Sequence, residues 1–265
     1  MAHDPPLRLT REDAVATLTI DRAAALNTLD FTLMDALVDA IAAVADDDSV
    51  RVLVLTGAGK HFMAGGDLRS FATLLDRPAA ERVEAFRALF ARLHAAIETL
   101  HRMPQITIAQ GRGAVAGFGL SLLCACDLAV VADDAYFSAA YRHVGLSPDG
   151  GGTYALTRLV GTRKAMEIFL LGERFDAAEA LRLGIVNRVV PGAQLDAAVA
   201  ALARTLADGP SMALRNTKAL VRGAHGRSLS GQLDAEADSF AACTGTADFA
   251  EGVASFIAKR PPRFR

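Results

Sequence analysis

Residues 106–131, ITIAQGRGAVAGFGLSLLCACDLAVV, contain the pattern that decides the fold. The β-branched run Ile106–Gln110 predicts a strand, and the apolar segment Phe118–Cys126 predicts a helix that is buried nearly all round. Leu128–Val131 then returns to a strand pattern. A strand, a helix and a second strand in this order form a βαβ unit with a right-handed crossover. We therefore expect an α/β protein.

The same alternation extends towards the amino terminus. Val15–Asp21 shows the period of two that is typical of a half-buried strand, and Arg51–Thr56 has the continuous apolar pattern of a strand buried on both faces. Between them, Asp30 is a predicted N-cap for an amphipathic helix. A second helix has apolar positions from Val83 to Leu100 and ends before Pro104. Strands and helices thus alternate through this half of the chain.

The pattern changes near residue 192, after which the segments are helical. Pro210 occupies a position where the first turn of a helix accepts proline. We divide the chain into residues 1–191, a core with the ligand site, and residues 192–265, a helical region. We expect these helices to pack on the core or on another subunit.

Composition excludes several classes of function. The chain has 265 residues, 52% of them hydrophobic, and a net charge of −2, which favours a globular protein over one that binds nucleic acid or an anionic membrane. Its three cysteines have no framework spacing, which favours a reducing compartment. Cys124 and Cys126 lie in an apolar run and are interpreted as buried hydrophobic residues, not metal ligands. The sequence has no signal-peptide or transmembrane pattern, so we predict a cytoplasmic protein. We also predict that the protein has no metal site.

Two glycine-rich turns each follow a predicted strand. They are residues 61–68, HFMAGGDL, and residues 111–119, GRGAVAGFG. Glycine lets the backbone approach a ligand and direct N–H groups at it, and α/β sheets bind ligands beyond the carboxyl ends of their strands. The two turns are therefore a candidate oxyanion hole built from the main chain. The alternative is that both are only tight connections between a strand and a helix.

A third turn holds a single carboxylate. In residues 143–152, HVGLSPDGGG, Asp149 lies between a proline and three glycines. From the pattern alone, Asp149 is either the N-cap of a helix that begins near Gly152 or a catalytic base at the edge of a pocket.

In order and spacing, these motifs resemble those of the crotonase (enoyl-CoA hydratase/isomerase) superfamily. The matching segments are Ala64–Asp67, Gly113–Gly119 with Cys126 and Asp127, Gly145–Gly151, Arg22–Asn27, Gly184–Asn187 and Glu251–Arg260. They span essentially the whole chain. The resemblance implies a spiral of ββα units and an acyl-CoA thioester substrate, with coenzyme A as part of that substrate and no separate cofactor. It also implies that residues 192–265 form the contacts of a homotrimer or hexamer.

The resemblance further assigns roles to individual positions. It implies that the N–H groups of Gly66 and Phe118 stabilise a thioester enolate, although the family usually has glycine where Phe118 stands; the added ring must narrow some nearby space. The implied contacts to the coenzyme A thioester are Ala24, Leu26, Ala64, Gly66, Asp67, Leu68, Phe118 and Lys259. The implied acyl pocket contains Phe71, Leu74, Leu75 and Tyr141. Asp67 is also expected to cap the following helix.

The catalytic acids depart from the hydratase pattern. Ser121 and Tyr141 stand where the family's hydratases have two glutamates, so Asp149 is the remaining candidate. An aspartate at this place resembles the aspartate-dependent enoyl-CoA isomerase groups. One buried carboxylate with a raised pKa suits a 1,3-proton transfer that moves a double bond. Tyr141 either donates a hydrogen bond or only fills volume, and Ser121 is expected to pack.

We therefore interpret the chain as an acyl-CoA isomerase with Asp149 as the base. The alternatives are a hydratase, a hydrolase or a ring-opening isomerase on the same scaffold. A non-catalytic CoA-binding homologue and an RNA-associated homologue also stay open.

Overall fold

The computed structural model describes residues 5–264 and arranges nine strands of this part of the chain in two sheets. The strands are β1 (Leu7–Glu12), β2 (Val15–Ile20), β3 (Val52–Gly57), β4 (Ile106–Gly111), β5 (Ala114–Ala116), β6 (Leu128–Ala132), β7 (Tyr136–Ser138), β8 (Phe175–Asp176) and β9 (Arg188–Val190). The larger sheet has the order β1-β2-β3-β4-β6-β9, and the smaller has the order β5-β7-β8. Only the β1–β2 and β7–β8 pairs are antiparallel.

Ten α-helices accompany these strands within the same described residues. They are α1 (Phe31–Ala45), α2 (Leu68–Ala72), α3 (Ala79–Arg102), α4 (Phe118–Ala125), α5 (Gly152–Leu171), α6 (Ala177–Arg182), α7 (Leu195–Ala207), α8 (Ser211–Gly223), α9 (Leu229–Thr244) and α10 (Ala247–Ile257).

The repeating unit is a strand of the large sheet, a short strand of the small sheet, and a helix. It occurs as β4-β5-α4 and as β6-β7-α5. Met63, which lies between β3 and α2, extends this pattern because it forms an isolated parallel bridge with Val115 of β5. The expected spiral of ββα units is confirmed. The sequence did not predict β5, β7, β8 or β9, since strands of two or three residues are too short to show a period. It also did not predict β1, whose exposed polar residues hide the pattern of a strand.

The predicted helices are present, with one difference in α3. Asp30 caps α1 by accepting a hydrogen bond from the N–H of Leu33, at 2.7 Å, and all eight residues of α4 are buried. In α3 the buried residues are confined to the second half, between Leu93 and Leu100. Val83, predicted on the buried face, is 49% exposed because the first turns of α3 extend beyond the core.

The carboxyl-terminal helices differ in how they pack. Helix α7 covers one face of the large sheet, where Leu195 and Val199 contact a cluster that includes Val52 and Ile108. Helix α9 buries no residue, and Ser255 is the only buried residue of α10. The division at residue 192 remains a prediction. Within the described part of the chain, no helix has the length and hydropathy required to cross a bilayer.

A buried ion cluster fastens α8 to the core. Asp127, at the end of α4, accepts from Lys218 at 2.8 Å and from Arg222 at 2.7 Å, and the backbone and hydroxyl of Thr107 donate to the same carboxylate. Lys218 also donates to the carbonyl of Gln105 at 2.7 Å. Asp127 therefore has a structural role, because it joins α8 to the strand that contains Thr107.

Replacing Lys218 by Met should strongly destabilise the fold. The change keeps the length of the side chain but leaves Asp127, whose side chain is only 12% exposed, with one cation fewer, and breaking a buried ion pair costs about 3–5 kcal/mol. Lys164→Met is the control, because Lys164 pairs with Glu167 on the surface and should cost less than about 1 kcal/mol. Urea unfolding measures the free energy of unfolding of both variants. Equal losses would mean that the cluster around Asp127 contributes no more stability than a surface ion pair.

Candidate active site

Three backbone segments lie side by side, and one of them is β5 of the small sheet. The N–H of Ala64 donates to the carbonyl of Leu26, and the N–H of Leu29 donates to the carbonyl of Gly65 at 2.8 Å. On the other side, the N–H of Ala116 donates to the carbonyl of Met63 at 2.9 Å. The segment 63–67 is therefore paired on both sides, with the turn at 22–29 and with the loop that leads into α4.

This pairing brings the two predicted oxyanion donors to one place. A β-carbon at Gly65 would lie 3.8 Å from the backbone nitrogen of Phe118, so the two loops touch. Within residues 5–264, the N–H groups of Gly66 and Phe118 donate to no acceptor. Phe118 is also the first residue of α4, so the positive end of the helix dipole lies behind its N–H group. Both donors are available to a developing oxyanion.

Charged side chains hold the first loop in position. The guanidinium of Arg22 pairs with Asp30 at 2.8 Å and with Asp67 at 3.0 Å, and it also donates to the carbonyl of Thr28. Asp67 in addition accepts from the N–H of Arg69 at 3.0 Å, which confirms that it caps α2. These bonds join the turn at residues 22–28 to the loop that contains Gly66.

Asp149 does not cap α5, so the cap interpretation is wrong. The N-cap of α5 is Gly151, without a side-chain hydrogen bond, and the Oδ1 atom of Asp149 accepts instead from the hydroxyl of Tyr141 at 2.6 Å. Gly150 has a φ of +58°, and a β-carbon there would lie 2.6 Å from the ring of Phe118. Glycine is thus required for the turn, and the Phe118 ring narrows the space beneath it.

Tyr141 and Ser121 both hold the Asp149 turn. The hydroxyl of Ser121 lies 3.1 Å from that of Tyr141 and donates to the backbone carbonyl of Asp149 at 2.9 Å. The expectation that Ser121 only packs is therefore wrong, because its hydroxyl is buried against two polar partners. A serine and a tyrosine at the positions of the hydratase glutamates could have suggested this, since both can hydrogen-bond a neighbouring carboxylate.

The surroundings of Asp149 change its proton affinity. Burial raises the pKa of its carboxyl above the ordinary value, and the hydrogen bond from Tyr141 opposes that rise. The charge of His94 on α3 lowers the same pKa to a smaller extent. Within the described chain no other residue donates to Oδ2 of Asp149. One oxygen is therefore held and the other is free to accept a proton.

The predicted acyl-pocket residues differ in exposure. The ring of Phe71 lies against Gly66, with its Cζ atom 2.8 Å from the place of a β-carbon there. Leu74 is buried, whereas Leu68 and Leu75 are 51% and 62% exposed. Sequence reasoning did not place Phe86, Phe90 or His94 at this site. Their spacing of four residues on α3 is the signal that could have found them.

The residues predicted to contact coenzyme A include two groups from opposite ends of the sequence, the turn at Ala24 and Leu26 and the segment at Lys259. Ala24 belongs to a short 3-10 turn, and Leu26 next to it is 46% exposed with a φ of +55°. Lys259 is exposed just after α10, a helix that packs against α9. Its approach to a ligand stays a prediction.

The cysteines have the surroundings expected of apolar residues. Cys124 and Cys126 are buried, and burial raises the pKa of each thiol to about 12. Among residues 5–264, no group of three or more His, Cys, Asp or Glu side chains could hold a metal ion.

Comparison with known proteins now identifies the family. Residues 10–265 match the family model described as enoyl-CoA hydratase/isomerase. The chain belongs to this family. It is 34% identical to the 1,2-epoxyphenylacetyl-CoA isomerase of Escherichia coli K12 over 253 residues, 96% of this chain and 95% of that protein. It is 33% identical to the crotonyl-CoA hydratase of Syntrophomonas wolfei, over 97% and 96% of the two chains.

Solved structures of the family have the same fold. An enoyl-CoA hydratase from Polaromonas sp. JS666 superposes with a TM-score of 0.91 at 33% identity, over 98% of this chain and 99% of the other. The crotonase-like architecture predicted from the motifs is thereby confirmed. The family acts on acyl-CoA thioesters.

Replacing Tyr141 by Phe should raise the pKa of Asp149. The hydroxyl stabilises the carboxylate, and a hydrogen bond to a charged group is worth about 1.5–3 kcal/mol, or about one pH unit or more. A base acts only when deprotonated, so the acid limb of the pH profile of kcat/KM should move to higher pH. Tyr136→Phe is the control, because the ring of Tyr136 lies under Arg174. An unmoved limb in Tyr141→Phe would contradict the assigned role of the hydrogen bond.

Proposed function

We propose that the protein is an acyl-CoA isomerase that moves a double bond by a 1,3-proton transfer. The carboxylate of Asp149 removes a proton from the α-carbon of a 3-enoyl thioester. The electron pair passes to the thioester oxygen, which the N–H groups of Gly66 and Phe118 stabilise. The resulting carboxylic acid returns the proton to the γ-carbon, and the double bond then lies between the α- and β-carbons.

The observation that carries this proposal is the single half-buried carboxylate beside two free backbone donors. Asp149 has one oxygen held by Tyr141 and one without a donor from another described residue. Its raised pKa makes it a stronger base than an ordinary aspartate while it is ionised. A carboxylate with one free oxygen suits the removal and return of one proton on the same face of the substrate.

Water addition is less well supported by the residues present. Hydration needs groups that position and activate a water molecule, and Ser121 and Tyr141 are instead engaged with the Asp149 turn. The similarity to the E. coli 1,2-epoxyphenylacetyl-CoA isomerase also supports isomerase chemistry. The similarity to a crotonyl-CoA hydratase keeps hydration as the second candidate.

Replacing Asp149 by Asn should abolish most of the isomerase activity. Asn keeps the shape of the side chain and can still accept from Tyr141, but it cannot remove a proton. We expect kcat on a 3-enoyl-CoA to fall by at least about a hundredfold, the scale of general base catalysis, with little change in acyl-CoA affinity. The formation of the conjugated thioester in deuterated water, with exchange at the α- and γ-carbons, measures the reaction.

Asp134→Asn provides the matched control. Asp134 lies in the loop before β7 and accepts from the backbone of Gly113 at 3.4 Å, a bond that Asn can retain. This variant should have near-normal turnover. Near-normal turnover of Asp149→Asn as well would mean that Asp149 only shapes its turn, and the proposed base would be wrong.

Hydration of crotonyl-CoA should be slow. Without a second carboxylate to activate water, we expect its turnover to be at least about a hundredfold below the isomerisation of a 3-enoyl-CoA by the same sample. Loss of the conjugated thioester's absorbance measures hydration. A hydration rate that matched or exceeded isomerisation would favour the hydratase alternative.

The chain is also proposed to form a homotrimer or hexamer through residues 192–265, in the cytoplasm and with no cofactor besides the coenzyme A of the substrate. Exposed apolar side chains on α9 and α10 support the oligomer: Leu229, Leu233, Phe240, Phe256 and Ile257 are each 55–85% exposed. Lys259, which follows α10, is proposed to reach the phosphates of coenzyme A.

Sedimentation equilibrium should therefore give a mass of about three or six times 27.8 kDa. Burial of the apolar faces of α9 and α10 is the driving force, since large exposed apolar patches mark interaction surfaces. A folded and active monomer would contradict this proposal.

A further inference from the structure

Four phenylalanines and one histidine form a row of rings that passes beside the Gly66 loop and continues along α3. We propose that this row binds an aromatic acyl group, so that the substrates are thioesters of arylalkenoic acids and not of plain fatty acids. The inference rests on the proposed acyl-CoA isomerase site and specifies its substrate class.

The rings follow one another without a gap. Phe31 stacks on Phe71 with centroids 6.3 Å apart, and the ring of Phe71 meets that of Phe86 edge-on at 5.1 Å. Phe86 and Phe90 stack at 6.0 Å, and Phe90 and His94 stack at 6.2 Å. Each distance lies in the range of favourable aromatic pairs. Four of the chain's thirteen phenylalanines therefore gather in one continuous array.

The row is connected to the two reactive parts of the site. Phe71, its second ring, lies against Gly66, one of the proposed oxyanion donors. Beyond His94, its last ring, Ile97 on the next turn of α3 lies next to Gly151, with 3.5 Å between its Cγ2 atom and the place of a β-carbon. The rings from Phe71 to His94 therefore border the space that an acyl group between Gly66 and Asp149 would occupy.

The row lies mostly outside the part of α3 that packs on the core. The core-facing residues of this helix are Leu93, Ala96 and Leu100, which are fully buried or nearly so. Phe86, Phe90 and His94 repeat at every fourth residue on an adjacent face; Phe90 packs partly against the core, Phe86 is half-buried and His94 is exposed. Core packing therefore accounts for part of the contact of Phe90 and does not require a ring at Phe86 or His94, whereas a ligand that stacks on the rings would complete their burial.

An aromatic ligand would gain more from this surface than an aliphatic one of equal size. Edge-to-face and offset contacts between rings contribute beyond the area that they bury, and two such contacts correspond to about a tenfold gain in affinity. Aliphatic groups gain only the burial. The surface thus favours a phenyl group over a saturated group of the same volume.

The test compares two thioesters that differ only in aromaticity. Phenylacetyl-CoA and cyclohexylacetyl-CoA have rings of similar size, and neither has a double bond in its chain to migrate. Isothermal titration calorimetry with the whole protein should show phenylacetyl-CoA binding at least about tenfold more tightly than cyclohexylacetyl-CoA. Free coenzyme A gives the baseline for both.

A substitution tests whether the preference for phenylacetyl-CoA over cyclohexylacetyl-CoA arises from the ring row. Phe90→Leu should reduce the ratio of the two affinities by about threefold or more, because it removes a ring and retains an apolar side chain. Phe175→Leu is the matched control: Phe175 is half-buried and stacks on Phe137 at 5.3 Å in the small sheet, and its loss should leave the ratio unchanged.

Equal binding of the two thioesters, both tighter than coenzyme A, would overturn the aromatic inference and leave the acyl-CoA function in place. If neither bound more tightly than coenzyme A, the acyl site itself would be wrong, and the proposed function would fail with the inference. The comparison within the unaltered protein decides between these results even if Phe90→Leu does not fold.

Discussion

The site depends on the double pairing of the backbone at residues 63–67. Hydrogen bonds to the segment 26–29 on one side and to β5 on the other leave this loop little freedom. The N–H groups of Gly66 and Phe118 are thereby left without acceptors but fixed in position. Donors that are already oriented need no rearrangement when negative charge develops, and this is the main advantage of a preorganised oxyanion hole.

The position of the Asp149 turn depends on the same paired backbone, because the turn contacts α4. This turn rests on the ring of Phe118, while Ser121, one turn later on the same helix, holds the carbonyl of Asp149. The helix that supplies one of the proposed oxyanion donors thus also positions the proposed base. Tyr141 then holds one carboxylate oxygen, and its neutral hydroxyl stabilises the charge without neutralising it. Partial burial with one strong hydrogen bond leaves a carboxylate that is basic and well oriented.

Phe118, at the second proposed oxyanion position, contributes both through its backbone N–H group and through its side chain. Its N–H group can donate like that of glycine, because the donor belongs to the main chain. Its side chain is 1% exposed and fills the space under Gly150. Any side chain at Gly150 would collide with that ring, so the two residues are constrained together. Helix α3 carries the rings of Phe86, Phe90 and His94 on one face and core-facing aliphatic residues on the adjacent face, so one helix serves both packing and the proposed site.

The sequence by itself determined the α/β class, the order of the main strands and helices, and the caps at Asp30 and Asp67. These features follow from local periodicity and from side chains that bond their own backbone within a few residues. It also pointed to Gly66, Phe118 and Asp149 through motifs. Only the tertiary structure decided between the cap and the acid for Asp149, the bonding of Ser121 and Tyr141, the short strands, and the ring row with His94. Those features join residues far apart in the chain, and their geometry is set by sheet register and helix packing, which no local pattern encodes.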